Sequence, residues 1–200
     1  MVPALITLLV TILRLVGELL GWSESLFGRS AGGSASLIGI VWLVPIFGIY
    51  FGWKLVKSGR IPTDTKRAIG LLFLILLVLT AEAVQTNAGG LPVQATLLLT
   101  AIYSIAAIYF SFYTWPDLAK VLFAYGLAAR IPVVVVMLIA IYANWGTHYD
   151  VAPPNFPETI GPFLKWVLIG LLPQMTAWIA FTLILGGIFG TVTAALVKQK

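Results

Sequence analysis

Few side chains in this sequence can do chemistry, and most of those that can lie inside apolar runs. Arg14 and Glu18 stand four residues apart in MVPALITLLVTILRLVGELLGW, so on a helix they share a face and can pair. Arg130 lies near the middle of DLAKVLFAYGLAARIPVVVVMLIAIYANW, Glu82 lies in VLTAEAVQTN, and Gln174 follows Pro173. A charge at the centre of a bilayer costs about 2.5–3.5 kcal/mol on insertion scales unless a partner or water answers it. Two cations and two anions at such depth suit a polar pathway, or an anion-coordinating pocket around Arg14 and Arg130 gated by the carboxylates. An ion-pair network that only fixes helix packing has the same balance. Gln174 can donate into a shared cavity or bond a neighbouring helix, and the sequence favours the second use.

A second cluster, His148, Tyr149 and Asp150, falls in GTHYDVAPPNFPETIG. A histidine beside an acid can relay a proton. One histidine with one acid is too little for a metal centre. Pro153, Pro154 and Pro157 stiffen this stretch, so ordering the loop or touching a partner is the favoured role. Cysteine is absent and His148 is the one histidine, which removes thiolate sites, bis-histidine haem and a multi-histidine metal site. No nucleophile elbow, HExxH or phosphate-binding glycine loop occurs. No catalytic residue, metal or cofactor is therefore assigned, and the balance leans away from an enzyme.

The elements that must position these groups are read from apolar length. Of the 200 residues 60% are hydrophobic and 10% charged, with mean hydropathy +1.02. Soluble domains carry about 25% charged residues. The expected fold is an all-α integral membrane protein, one six-transmembrane-helix bundle over residues 1–200. Its spans are 3–22, 35–57, 67–86, 91–115, 117–145 and 162–197, each with at least the ~20 residues that cross a bilayer. The first lacks a basic leader and a cleavage site, so it reads as retained. The last is too long for a simple crossing. Either Pro173 kinks it, or 162–172 lies in the interface.

Trp22, Trp53, Trp115, Trp145 and Trp166 fall at proposed span ends, where indole prefers to sit. Trp42 and Trp178 fall deeper and read as packing residues. Lys54, Lys57, Arg60, Lys66 and Arg67 form the main basic cluster. The positive-inside rule then places both termini in the cytoplasm, together with Lys120, Lys198 and Lys200, and leaves Arg29 and Lys165 outside. The cluster suits anionic lipid head groups rather than nucleic acid. The expected location is a multi-pass position in a bacterial inner membrane.

Small residues set the packing surfaces. Thr7, Thr11, Arg14 and Glu18 line one face of the first helix, with Gly17 and Gly21 beside it for close approach by another helix. Thr96, Thr100, Ser104, Ala107 and Ser111 form a stripe on the fourth. Gly48–Gly52 and Gly186–Gly190 are GxxxG pairs, assigned first to packing inside one chain and second to a homo-oligomer or a complex partner. Gly126 and Pro132 loosen the backbone on either side of Arg130. Three functions remain open: a small transporter or channel with its site around Arg130, a non-catalytic scaffold subunit of a membrane complex, and, last, a membrane enzyme acting on lipid or quinone.

Overall fold

A computed structural model describes residues 2–31, 36–88, 90–154 and 156–197. Ala35, part of the glycine- and serine-rich loop before it, Lys198 and Lys200 lie outside the described residues. Among the described residues the structure is mainly helical, with no strand. Its helices are α1 (Val2–Leu19), α2 (Leu43–Lys57), α3 (Thr65–Ala88), α4 (Val93–Ser111), α5 (Pro116–Ala143), α6 (Pro162–Lys165), α7 (Leu172–Met175) and α8 (Ala177–Val197). A 3-10 turn, Ile40–Trp42, leads into α2, and a π-helical segment, Trp166–Leu171, joins α6 to α7. Among the described residues six helical runs are long and apolar enough to cross a membrane: Val2–Leu19, Ile40–Lys57, Thr65–Thr86, Val93–Ser111, Pro116–Ala143 and Pro162–Val197.

The helix ends have local causes. Gly21 adopts φ +66°, Trp22 N–H reaches the Gly17 carbonyl at 2.9 Å, and Gly21 N–H reaches that of Glu18 at 3.2 Å. This pair of bonds is a Schellman stop, which ends α1 at Leu19 and leaves Trp22 beyond the helix. Gly59 ends α2 in the same way, at φ +78°. Asn144, at φ 50°, ends α5. Asp64 accepts the Arg67 N–H and caps α3 at its start. Pro132 leaves α5 a single helix.

Burial along α1 is inverted relative to a water-soluble helix. Thr7, Thr11, Arg14 and Glu18 are buried, while Leu5, Leu9 (64% exposed), Leu13 and Leu19 face outward. Water would enforce the reverse arrangement, whereas lipid rewards it. With six apolar runs, this is the character of a polytopic membrane protein.

Contacts divide the chain into two compact units. Unit 1 is Met1–Val41 with Ala128–Met175, and unit 2 is Trp42–Leu127 with Thr176–Lys200. In unit 2 the two GxxxG pairs meet each other. A Cβ on Gly48 would lie 2.5 Å from the Gly186 carbonyl oxygen, and one on Gly190 would lie 2.8 Å from that of Gly48. Leu122 and Leu118 close over Gly186 and Gly190 from the other side. Two cores flank this seam, one around Trp115, Leu118, Leu122, Ile179 and Leu183, the other around Leu72, Ala107, Ala180 and Ile184. Trp115 is thus a core residue, 2% exposed, rather than part of an interfacial belt. Trp42 reverses the other way. The second span begins at Ile40, not residue 35, so this indole sits at a helix start and is 62% exposed.

In unit 1, Val133, Met137, Ala140 and Tyr149 form the core, with Leu15, Ile40, Val136, Trp145 and Trp166 packed against it. The space beside Gly17 receives no helix. The Phe27 ring of the following loop occupies it and packs edge-on against Trp22, ring centroids 5.3 Å apart.

Candidate functional site: a buried polar column in unit 1

Helical spacing brings Arg14 to Glu18, and Arg14 Nε donates to Glu18 Oε1 at 2.9 Å. Arg14 Nη2 also reaches the Gly28 carbonyl at 3.4 Å. The Glu18 side chain is 0% exposed, and two more donors come from a loop 130 residues away. The His148 backbone N–H donates to Oε2 at 2.9 Å, and His148 Nδ1 stands 2.5 Å from Oε1. A buried carboxylate needs such donors to stay ionised. The Arg29 guanidinium donates to the Glu18 carbonyl, so the loop that follows α1 is tied back to the last turns of that helix.

The loop that carries His148 is built by Asp150. Asp150 Oδ1 accepts the Thr147 N–H and the Thr147 hydroxyl, both at 2.7 Å, and Oδ2 accepts the Gly146 N–H at 2.9 Å. Asp150 therefore spends its oxygens on its own turn and holds His148 toward α1. Burial pushes the His148 imidazole below its ordinary value of 6.5; its hydrogen bond to Glu18 and the charge of Asp150 pull it upward, and Arg14 pushes it further down. His148 is therefore neutral near pH 7. An ionised Glu18 then requires the proton on Nδ1, which leaves Nε2 as the basic nitrogen.

Tyr149 lies against the His148 ring, centroids 3.8 Å apart, and its hydroxyl donates to the Thr11 carbonyl at 3.4 Å. Burial raises the phenol well above its usual range. The charges of Arg14, Glu18 and Arg130 also act on it. Arg130 is buried on α5, and its Nη1 donates to Gln174 Oε1 at 3.3 Å. Gln174 Nε2 in turn approaches Met137 Sδ at 3.8 Å. Trp166 Nε1 bonds the Val134 carbonyl at 3.0 Å, one turn along α5 from Arg130.

Six of the eight residues singled out from the sequence thus make up a polar column in two bonded parts, His148, Glu18, Arg14 and Tyr149 in one and Arg130 with Gln174 in the other, with the Arg130 charge acting on the Tyr149 phenol. Asp150 supports it through the loop turn. Glu82 is a residue of unit 2, where Thr100 Oγ1 donates to its Oε1 at 2.9 Å and Thr86 Oγ1 bonds its carbonyl. Arg29, Gly28, Thr147 and Trp166 take part without having been singled out for the column. Only Thr147 carried a signal, a hydroxyl three residues before an aspartate, the spacing of a side-chain-closed turn. Among the described residues no group of three or more His, Asp or Glu side chains stands together to hold a metal ion.

Compared with protein-family models, curated proteins and solved structures, the chain matches none.

Proposed function

We propose that the chain is a small multi-pass transport protein of a bacterial inner membrane, and that the column in unit 1 is its route for a small anion. The observation that supports this reading is the set of buried polar groups in unit 1, Arg14, Glu18, Tyr149, Arg130 and Gln174, with both guanidinium charges acting on the phenol. Intramembrane arginines are costly, and they are kept where a pathway or an anion uses them. Guanidinium forks suit carboxylate, phosphate or halide, and Gln174 and Tyr149 add neutral donors. In this reading both termini are cytoplasmic and the His148 loop lies outside. Lys54, Lys57, Arg60, Lys66 and Arg67 rest against anionic head groups of the inner leaflet.

The test is flux. Purified protein in liposomes is assayed with a trapped halide-sensitive dye, beside Arg130→Gln and Arg130→Lys. The expected result is anion-dependent quenching by the wild type, a loss of tenfold or more in Arg130→Gln, and partial retention in Arg130→Lys. Equal rates in wild type and Arg130→Gln would refute the reading.

A scaffold role has one observation in its favour: both Glu18 oxygens are already occupied, as in a closed structural clamp. Purification in mild detergent separates the two. A stoichiometric partner together with absent flux favours the scaffold.

A further inference from the structure

Between Arg67 and Asp117 the sequence holds one charged residue, Glu82. It lies on α3 in unit 2 and is 6% exposed, while Ala81 and Ala83 on either side of it are exposed. The side chain therefore turns inward, against the helices that α3 packs on, α4 and α8. Among the described residues its carboxyl receives one hydrogen bond, from the Thr100 hydroxyl of α4 to Oε1 at 2.9 Å. We propose that Glu82 holds its proton inside the bilayer, so that Glu82 and Thr100 make a proton-binding site in unit 2. The site does not depend on the flux reading of unit 1.

Depth is the first support. Glu82 stands six residues before Ala88, where α3 ends, or about 9 Å along the axis. Cα–Cβ bonds tilt toward a helix N-terminus, so the carboxyl leans away from that end and toward the middle of the span. Thr100 is equally deep, seven residues past Val93 at the start of α4, or about 10 Å.

Charge is the second. On α3 the nearest cations are Lys66 and Arg67, the closer of them 15 residues away, or about 22 Å. α4 has no charged residue, and its titratable side chains are the exposed phenols Tyr103 and Tyr109. α8 has neither charge nor phenol. The sequence joining α3 to α4, residues 89–92, is Gly-Gly-Leu-Pro. Among the described residues the ion pairs join Glu18 to Arg14 and to His148, and Glu82 enters neither.

An ionised carboxylate in apolar surroundings needs a cation or several donors, and without them it neutralises. Glu18 has that set: the Arg14 guanidinium, the His148 N–H and the His148 ring. Glu82 has a single neutral hydroxyl. In the acid form Oε1 is the carbonyl oxygen that accepts from Thr100, and the proton sits on Oε2, which makes no hydrogen bond among the described residues.

Full-length protein is placed in liposomes of ether-linked lipid, which has no carbonyl of its own. At pH 7 it is treated with dicyclohexylcarbodiimide, a lipid-soluble reagent for the acid form of a carboxyl. The acid proton passes to one carbodiimide nitrogen while the carboxyl oxygen bonds the central carbon. The acyl group then moves from that oxygen to the other nitrogen, and a stable acylurea remains with nothing lost. Mass spectrometry of peptides is expected to find the adduct at Glu82, formed about tenfold faster or more than at any of the other six acidic side chains. The rate should fall as the bulk pH rises, since the ionised form does not react. Infrared spectra of the wild type at pH 7 are expected to show the carbonyl stretch of a neutral carboxylic acid. That band is lost in Glu82→Gln and moved to higher frequency in Thr100→Val. A wild-type spectrum without the band, or labelling no faster at Glu82 than elsewhere, overturns the site whether or not the variants fold. An unmoved band in Thr100→Val removes Thr100 from it.

Discussion

Gly48 and Gly186 meet backbone against backbone: the nearest atom to a side chain added at Gly48 would be the Gly186 carbonyl oxygen, at 2.5 Å. In lipid there is little hydrophobic drive between helices, so close approach of main chains supplies the attraction. Gly48→Ala is expected to cost about 1–3 kcal/mol, the range for overpacking a tight contact. Gly70→Ala is the control, since nothing lies within 4 Å of its added methyl. Thermal unfolding in detergent should separate the two, and equal melting temperatures would contradict the seam.

Removing Glu18 strands a buried guanidinium, while removing both partners does not. Glu18→Gln and Arg14→Gln are each expected to lose about 3–5 kcal/mol, and the double variant to lose clearly less than their sum. Denaturation of the four proteins completes the cycle. Additive losses would mean that the pair bond contributes nothing.

Acid should weaken the fold through His148. Burial lowers its folded-state affinity for protons, so the unfolded chain binds a proton at higher pH than the folded one. Stability is then steady above about pH 6.5, falls as the pH drops below it, and levels off under the folded value. His148→Gln should lack this step. Melting temperatures between pH 5 and pH 8 check the sign, and a wild type gaining stability on acidification would reverse it.

Ala129 adjoins Arg130 and is buried, and the chain has no cysteine, so Ala129→Cys is a clean reporter. A wet column predicts reaction with a membrane-impermeant thiol reagent from one side only. Protection from both sides would mean that water does not reach Arg130.

The parts of this architecture that follow from short-range spacing were readable in the sequence. Six apolar runs stand where hydropathy puts them, and Arg14 pairs with Glu18 because 3.6 residues per turn bring i and i+4 together. Helix ends shifted by a few residues where a glycine adopted positive φ, as at Gly21. What sequence could not supply was the partner across the fold. Nothing local to Glu18 names His148, 130 residues on. Trp115 shows the same limit. Its indole type suggested the membrane interface, yet neighbouring helices enclose it, and only tertiary packing decides between the two.

The π-helical segment Trp166–Leu171 has a geometric consequence for α5. Residues 166 and 174 are eight apart, which on uninterrupted α-helix sets them about 80° apart around the axis. A wider turn absorbs one residue and brings that angle down to about 20°. Trp166 and Gln174 can therefore grip one neighbour, at Val134 and at Arg130. Deleting a single residue between them would leave them seven apart on ordinary α-helix, at the same ~20°, so the wider turn houses a surplus residue without rotating the indole out of phase.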